Sequence, residues 1–322
     1  MAVLPLRERG AGRSPKRVHL LFELSVNRVL PVFTRFCLYE SMTTLTSAGT
    51  EDRFNTVSKH LIALDVDGTL VDHDGHMSPN VRSAARDAID AGHHLVISTG
   101  RSFGAALPIL ERIGLTEGYS VCSNGGVTLS IDTSLPDGYE VVDRVVFDPR
   151  PALDALRVSL PTAKFALEDH EGRFLSTERF QDASFGAEAQ AVDFEYLRES
   201  KAVRVVVFST DSTAEEFGDA VAAIGLHGVT YSVGWTAWLD IAAAGVTKAS
   251  ALEQVRRRLD IDPLHTVAVG DGRNDIEMLS WAARGVAMGQ SPEEVLSAAT
   301  EVTGSVYEDG AAKVLRSLLD PR

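Results

Sequence analysis

The chain has 322 residues, 44% of them hydrophobic and 24% charged, and a formal net charge of −14. That length accommodates one large domain or two of ordinary size, with composition close to average soluble usage. The acidic balance argues against a nucleic-acid or anionic-membrane surface, so an anionic substrate would need a local cation to receive it. The two cysteines, Cys37 and Cys122, lack metal-type spacing and read as reduced thiols of a cytoplasmic protein.

Residues 1–58 differ in kind from the rest. A basic, Pro/Gly-punctuated start gives way to HLLFELSVNRVLPVF, which Glu23, Arg28 and Pro31 break too often for a membrane span. This stretch is expected to be a disordered extension or a misplaced start, Met42 offering an alternative. From Lys59 onward strands alternate with helices. LIALDV is a continuous apolar run, as expected of a strand buried on both faces. Ser78-Pro79 reads as an N-cap with proline at the first helical position of SPNVRSAARDAIDAG. HHLVISTG is the next strand, SFGAALPILERIG a helix interrupted or kinked at Pro108, and YSVCSNGG a strand ending in a glycine turn.

Residues 140–240 have another rhythm. A strand in YEVVDRVVF and a helix lead to a hairpin turned at Asp169–Gly172, and AVRVVVFS is a further strand. DSTAEEFGDAVAAIG is a helix and GVTYSVGWTAWLDI one or two strands. Beyond them, VTKASALEQVRRRLDI, NDIEMLSWAA and SPEEVLSAA read as helices around the strands HTVAVGDG and GVAMG. This order predicts an α/β fold, a doubly wound parallel-sheet core carrying an inserted α+β domain. The expected divisions are 59–140 and 241–322 for the core and 141–240 for the insert.

Ligands of such sheets bind beyond the carboxyl ends of the strands. At those ends stand Asp65 and Asp67, Ser98 and Thr99, Asn124, and Asp271. Asp65 and Asp67 can begin from one face of an extended strand, although the turn at Gly68 leaves their final directions free to differ. Two bare carboxylates so close repel each other. A hard divalent cation such as Mg²⁺ removes that repulsion, and GDGRND adds Asp271 and Asp275 at another strand end. One carboxylate can then attack phosphorus while a second handles a proton. An EF-hand reading of DVDGTLVDHDG fails, because the sixth position, which must turn sharply, is Leu70. No G-x-G-x-x-G follows a strand, which argues against a dinucleotide site.

Asp65-Val66-Asp67-Gly68-Thr69, Thr99 in ISTGR, Lys248 in GVTKASAL and the run Gly270 to Asp275 occur in that order. Together with SNGG they resemble the four motifs of the haloacid dehalogenase-like hydrolases, Cof-type branch, over about residues 59–319. The resemblance implies a Mg²⁺-dependent phosphatase with a large cap inserted after the second motif. It implies that Asp65 is the nucleophile, forming an aspartyl-phosphate, and that Asp67 is the acid and base. The metal would sit on Asp65, the backbone carbonyl of Asp67, and Asp271, with Asp275 in its outer shell. Lys248 would offset charge, Thr99 and Gly100 would hold phosphoryl oxygens, and Asn274 would orient the loop or Lys248. Arg101, Asn124 and Gly125 are further candidates for substrate contact. Ser123, before Asn124, departs from the acidic or small residue common there.

The expected partner is a small phosphorylated metabolite, a sugar phosphate or phosphorylated cofactor, with no nucleic acid or membrane, and a monomeric or homodimeric protein. Two rivals share parts of this pattern. A phosphomutase would pass the phosphoryl group to a bound sugar phosphate, and a phospho-accepting signalling module would hold it without turnover. The inserted domain and the placement of Asp67 argue against the second.

Overall fold

The structure, a computed structural model, describes residues 59–178, 184–186, 188–234 and 236–319. The extension expected over residues 1–58 lies outside them.

β1 (Leu61–Leu64) is buried along its whole length. Its alternate side chains enter different layers, Ile62 and Leu64 on one face and Leu61 and Ala63 on the other. That is why the run shows no polar alternation. α1 (Pro79–Asp90) starts where the Ser78 hydroxyl accepts the Val81 amide. β2 (His94–Ser98), α2 (Phe103–Ile113) and β3 (Glu117–Cys122) follow. Pro108 lies inside α2 without ending it. The missing N–H forfeits one hydrogen bond, while Ala106, Ile109, Leu110 and Ile113 stay packed in the core.

β4 (Val127–Asp132) and β5 (Tyr139–Arg144) return antiparallel to β3 and β4 respectively. The strand that opens YEVVDRVVF, assigned from sequence mostly to the insert, therefore completes the first sheet. Pairing with β4 decides its place, through contacts such as Leu129 with Val141, and no local pattern encodes that.

The second sheet comprises β6 (Lys164–Asp169), β7 (Phe174–Ser176), β8 (Gln190–Ala191), β9 (Ala202–Phe208), β10 (Val229–Val233) and β11 (Trp238–Ala243). Its strand order is β10-β11-β9-β6-β7-β8. The hairpin from β6 to β7 turns where the Gly172 amide donates to Asp169 O at 3.0 Å. Three helices, α3 (Arg150–Ser159), α4 (Phe194–Glu199) and α5 (Ala214–Ile224), cover one face through Leu153, Leu197 and Phe217. Phe165, Leu167, Val205 and Val207 point toward them. By the two-residue alternation, Ala166, Glu168, Arg204 and Val206 occupy the opposite face.

The chain then rejoins the first sheet through α6 (Lys248–Arg258), β12 (Thr266–Gly270), α7 (Ile276–Trp281), β13 (Arg284–Ala287), α8 (Glu293–Ala298), β14 (Glu301–Val302) and α9 (Gly310–Arg316). The eight strands run in the order β14-β13-β12-β1-β2-β3-β4-β5, parallel from β14 through β3 and antiparallel beyond. α1, α2 and α9 pack on one face, α6, α7 and α8 on the other. Among the described residues no helix is long and apolar enough to cross a membrane.

Candidate active site

β1 and β12 are parallel neighbours in register, Leu64 beside Val269, so Asp65 and Asp271 leave the sheet at the same edge. The Asp65 amide donates to Val269 O at 3.0 Å. Three residues on, Gly68 adopts φ +79°, and a Cβ there would lie 2.2 Å from Asp271 Oδ2. Only glycine lets the backbone pass so close to that carboxylate.

Lys248, the first residue of α6, is buried to 1% exposure. Its Nζ stands 2.6 Å from Asp65 Oδ1 and 2.6 Å from Asp275 Oδ1. The other Asp275 oxygen accepts the amides of Asp271, at 3.0 Å, and Gly272, at 2.9 Å. Asp275 thus anchors the ammonium and the loop after β12 together. Carboxylate oxygens of Asp65, Asp271 and Asp275 all lie within 4.8 Å of one another.

Three buried carboxylates share one ammonium, and the titration of Asp65, Asp271 and Lys248 reflects it. Burial, reinforced by Asp275, raises the Asp65 carboxyl well above its ordinary range despite Lys248. Burial and Asp275 push Asp271 up to about 7. Burial works against the charge on Lys248, but Asp275 and Asp65 together hold the ammonium above the usual lysine range. An all-oxygen, net-negative cluster of this kind suits a hard divalent cation, so the residues fit the metal that the motifs imply.

The neighbouring strand ends supply the rest. Thr99 is fully buried, and its hydroxyl accepts the Arg101 amide at 3.1 Å. Asn124, in a left-handed conformation at φ +53°, accepts from Asn274 Nδ2 at 2.9 Å, which ties the loop after β3 to the loop after β12. A Cβ on Gly125 would lie 2.3 Å from Thr247 O, so this glycine lets the same loop approach the start of α6. The Asp67 side chain stands apart from the carboxylate cluster. It is 60% exposed and bound by Arg101, whose Nε donates to Oδ2 at 2.9 Å and Nη2 to Oδ1 at 2.5 Å.

A cavity of about 510 Å³ opens over this edge, lined by Asp65, Asp67, Gly100, Arg101, Asp271 and Asn274 on the first sheet's side. Arg204, Ser232, Trp238 and Asp240 of the second sheet line it from across. An adjoining cavity of about 350 Å³ is lined by Asn124, Lys248 and Asn274 together with Arg204, Ser232 and Asp240. Asp275 and Thr99 sit behind these walls, buried.

Several participants escaped the sequence reading. Gln290 donates from Nε2 to Gly68 O at 2.6 Å, and its Oε1 accepts the Val306 amide at 3.0 Å. Its position just past β13 is the same strand-end signal that identified the others. Ser123 donates to Glu168 Oε2 at 2.5 Å, so the residue that departs from the family pattern joins the two sheets. Arg204 and Asp240 had no sequence signal, because nothing local tells which face of an inserted sheet meets the core.

A family model described as haloacid dehalogenase-like hydrolase matches residues 62–315. "Putative phosphatase YkrA" of Bacillus subtilis is 27% identical over 270 residues, covering 80% of this chain and 97% of that protein. The "5-amino-6-(5-phospho-D-ribitylamino)uracil phosphatase YcsE" of the same organism is 26% identical over 264 residues, covering 80% and 94%. Among solved structures, the HAD subclass IIB sugar phosphatase BT4131 superposes with a TM-score of 0.68 at 25% identity, covering 80% of this chain and 98% of that one. The fold, the ordered motifs and the family match agree: this chain belongs to the haloacid dehalogenase-like hydrolases and is a phosphatase of their capped, Cof-type branch.

Proposed function

We propose that the protein is a Mg²⁺-dependent phosphatase that hydrolyses a sugar phosphate or phosphorylated cofactor precursor through an aspartyl-phosphate on Asp65. One observation carries this reading. Asp65 is held 2.6 Å from the buried Lys248 ammonium, within 4.8 Å of the Asp271 and Asp275 oxygens, on the wall of a cavity that the second sheet covers.

In this scheme an Asp65 oxygen attacks phosphorus, and a new P–O bond forms as the ester P–O bond breaks. Asp67 gives its proton to the leaving oxygen. It then takes one from the water that attacks phosphorus, so that inorganic phosphate departs and Asp65 is restored. Lys248 offsets charge between nucleophile and phosphoryl oxygens. Thr99 and the Gly100 amide hold those oxygens, with Arg101, Asn124 and Gly125 lining their surroundings. Asn274 keeps the Asn124 loop in place, and Asp275 fixes Lys248. Asp65, Asp271 and the Asp67 carbonyl would hold the cation, backed by Asp275; when bound it supplies Lewis-acid stabilisation of the phosphoryl charge. The second sheet, facing the cavity, serves as the cap that admits small metabolites. The substrates for which YcsE and BT4131 are named, a ribitylamino-uracil phosphate and a sugar phosphate, support the substrate class. A cytoplasmic setting accords with such a metabolite.

The test is Mg²⁺-dependent phosphate release from a panel of phosphorylated metabolites, with Asp65→Asn alongside. Turnover by the variant is expected to fall at least about a thousandfold with its melting curve preserved. A variant that keeps more than about a tenth of wild-type activity would remove Asp65 from the role of nucleophile.

A further inference from the structure

Arg204 is a buried cation that the scheme above leaves without a task. Only 3% of its side chain is exposed, at the centre of the cap sheet, and it lines both cavities. Its Nε donates to Asp240 Oδ1 at 2.5 Å, and its Cζ lies 5.7 Å from the Phe185 ring centroid. Its Nη1 is buried with no hydrogen-bond partner among the described residues. Leaving a charged donor unmatched in a protein interior is costly, so such a nitrogen beside a substrate cavity marks a place where a ligand oxygen belongs.

The surroundings say which kind of oxygen. Asp240 neutralises the guanidinium and is itself fixed, its Oδ2 accepting the Trp238 indole N–H at 2.9 Å. Glu168 stands directly opposite Arg204 in the pairing of β6 with β9, and Ser232 stands opposite Asp240 in that of β10 with β11. The cap therefore offers a donor, an acceptor and a hydroxyl with no surplus positive charge. A second anionic group on the substrate would face the Asp240 carboxylate beside a guanidinium already neutralised by it, whereas an alcohol can accept from Arg204 and donate to Asp240.

We propose that Arg204 is the cap's specificity-determining residue, donating from Nη1 to an uncharged hydroxyl or carbonyl oxygen of the substrate's organic part and, with Asp240, disfavouring substrates that carry a second anionic group. This rests on the phosphatase reading and names the residue that chooses among phosphate esters.

The experiment compares kcat/KM for ribitol phosphate, phosphoglycolate and p-nitrophenyl phosphate in the wild type, Arg204→Met and Asp240→Asn. In Arg204→Met the ratio of ribitol phosphate to p-nitrophenyl phosphate is expected to fall about tenfold or more, the effect of one charged hydrogen bond. In Asp240→Asn, which leaves the guanidinium uncompensated, the ratio of phosphoglycolate to ribitol phosphate is expected to rise about fivefold. Unchanged ratios would overturn the assignment, as would a wild type that prefers phosphoglycolate. Should Arg204→Met fail to fold, the Asp240→Asn ratio decides alone. If the wild type hydrolyses none of the three esters, the phosphatase reading fails, and calorimetric titration of ribitol phosphate decides this one. A Kd raised about tenfold in Arg204→Met supports it, and no binding to the wild type or an unchanged Kd sinks it.

Discussion

Arg101 grips Asp67 with both arms of its guanidinium, Nε to Oδ2 at 2.9 Å and Nη2 to Oδ1 at 2.5 Å. A carboxylate held by two donors is oriented as well as charged. If Asp67 protonates the leaving group, it must loosen one of those contacts as the proton moves, so the fork sets where the acid stands.

Arg101→Lys keeps the charge and loses the fork. Its kcat/KM is expected to drop about tenfold further with an alkyl phosphate than with p-nitrophenyl phosphate, because only the poorer leaving group needs the proton. Steady-state rates on the two esters check this. Equal losses on both would mean that Arg101 acts on the phosphoryl group and not through Asp67.

Lys248→Met removes the one ammonium from among three buried carboxylates. Without divalent cation the variant is expected to lose about 3–5 kcal/mol of stability, the cost of uncompensated buried charge. Added Mg²⁺ should return part of that loss. Urea unfolding in EDTA and in Mg²⁺ measures both, and a loss below about 1 kcal/mol in EDTA would show that the carboxylates do not depend on this cation.

Glu168 makes stability depend on pH. Burial raises its carboxyl above the ordinary glutamate value, with Ser123 and Arg204 pulling partly back. The native protein therefore keeps a proton that the unfolded chain sheds. Stability from this site is complete below the unfolded value and is lost as pH rises through the folded one. Glu168→Gln can still accept from Ser123 but carries no charge. Its melting temperature relative to wild type should accordingly be higher at about pH 8 than at about pH 5. An offset that stays constant across that range would show no proton uptake here.

Cys122 is fully buried, and burial pushes its thiol up to about 12. A thiol of that kind presents almost no thiolate at neutral pH. Iodoacetamide should leave Cys122 unlabelled in the native protein and modify it in denaturant, as peptide mapping by mass spectrometry will show. Rapid native labelling would place the strand end closer to solvent than its packing indicates.

Much of the site was legible because parallel strands bring their ends to one edge. Asp65, Thr99, Asn124 and Asp271 each follow a recognisable apolar run, and the βα order alone puts those runs in one sheet. β5 was misplaced for the converse reason. Its residues are mostly half-buried, a pattern equally suited to the margin of either sheet, and only the partner strand settles the matter. Arg204 sits inside AVRVVVF, where it reads as an interruption of a buried strand. Which face of that strand looks onto the catalytic edge is set by tertiary docking, not by periodicity. The Asp67–Arg101 fork was hidden likewise, since each residue already had a separate reading.

β1 lies between β12 and β2, and the residues it meets across that boundary arrive late: the hydroxyl of Thr69 and its partner Asp271 are 202 positions apart. During synthesis the ribosome releases LIAL, β2 and the whole cap before β12 exists. Until then the central strand of the finished sheet is an apolar edge with open hydrogen-bonding groups, a surface that invites pairing with other chains. Asp65 is also without its ammonium until α6 emerges. Catalytic competence thus comes only once α6 and β12 have both been made, and the newborn chain must be shielded over just that interval.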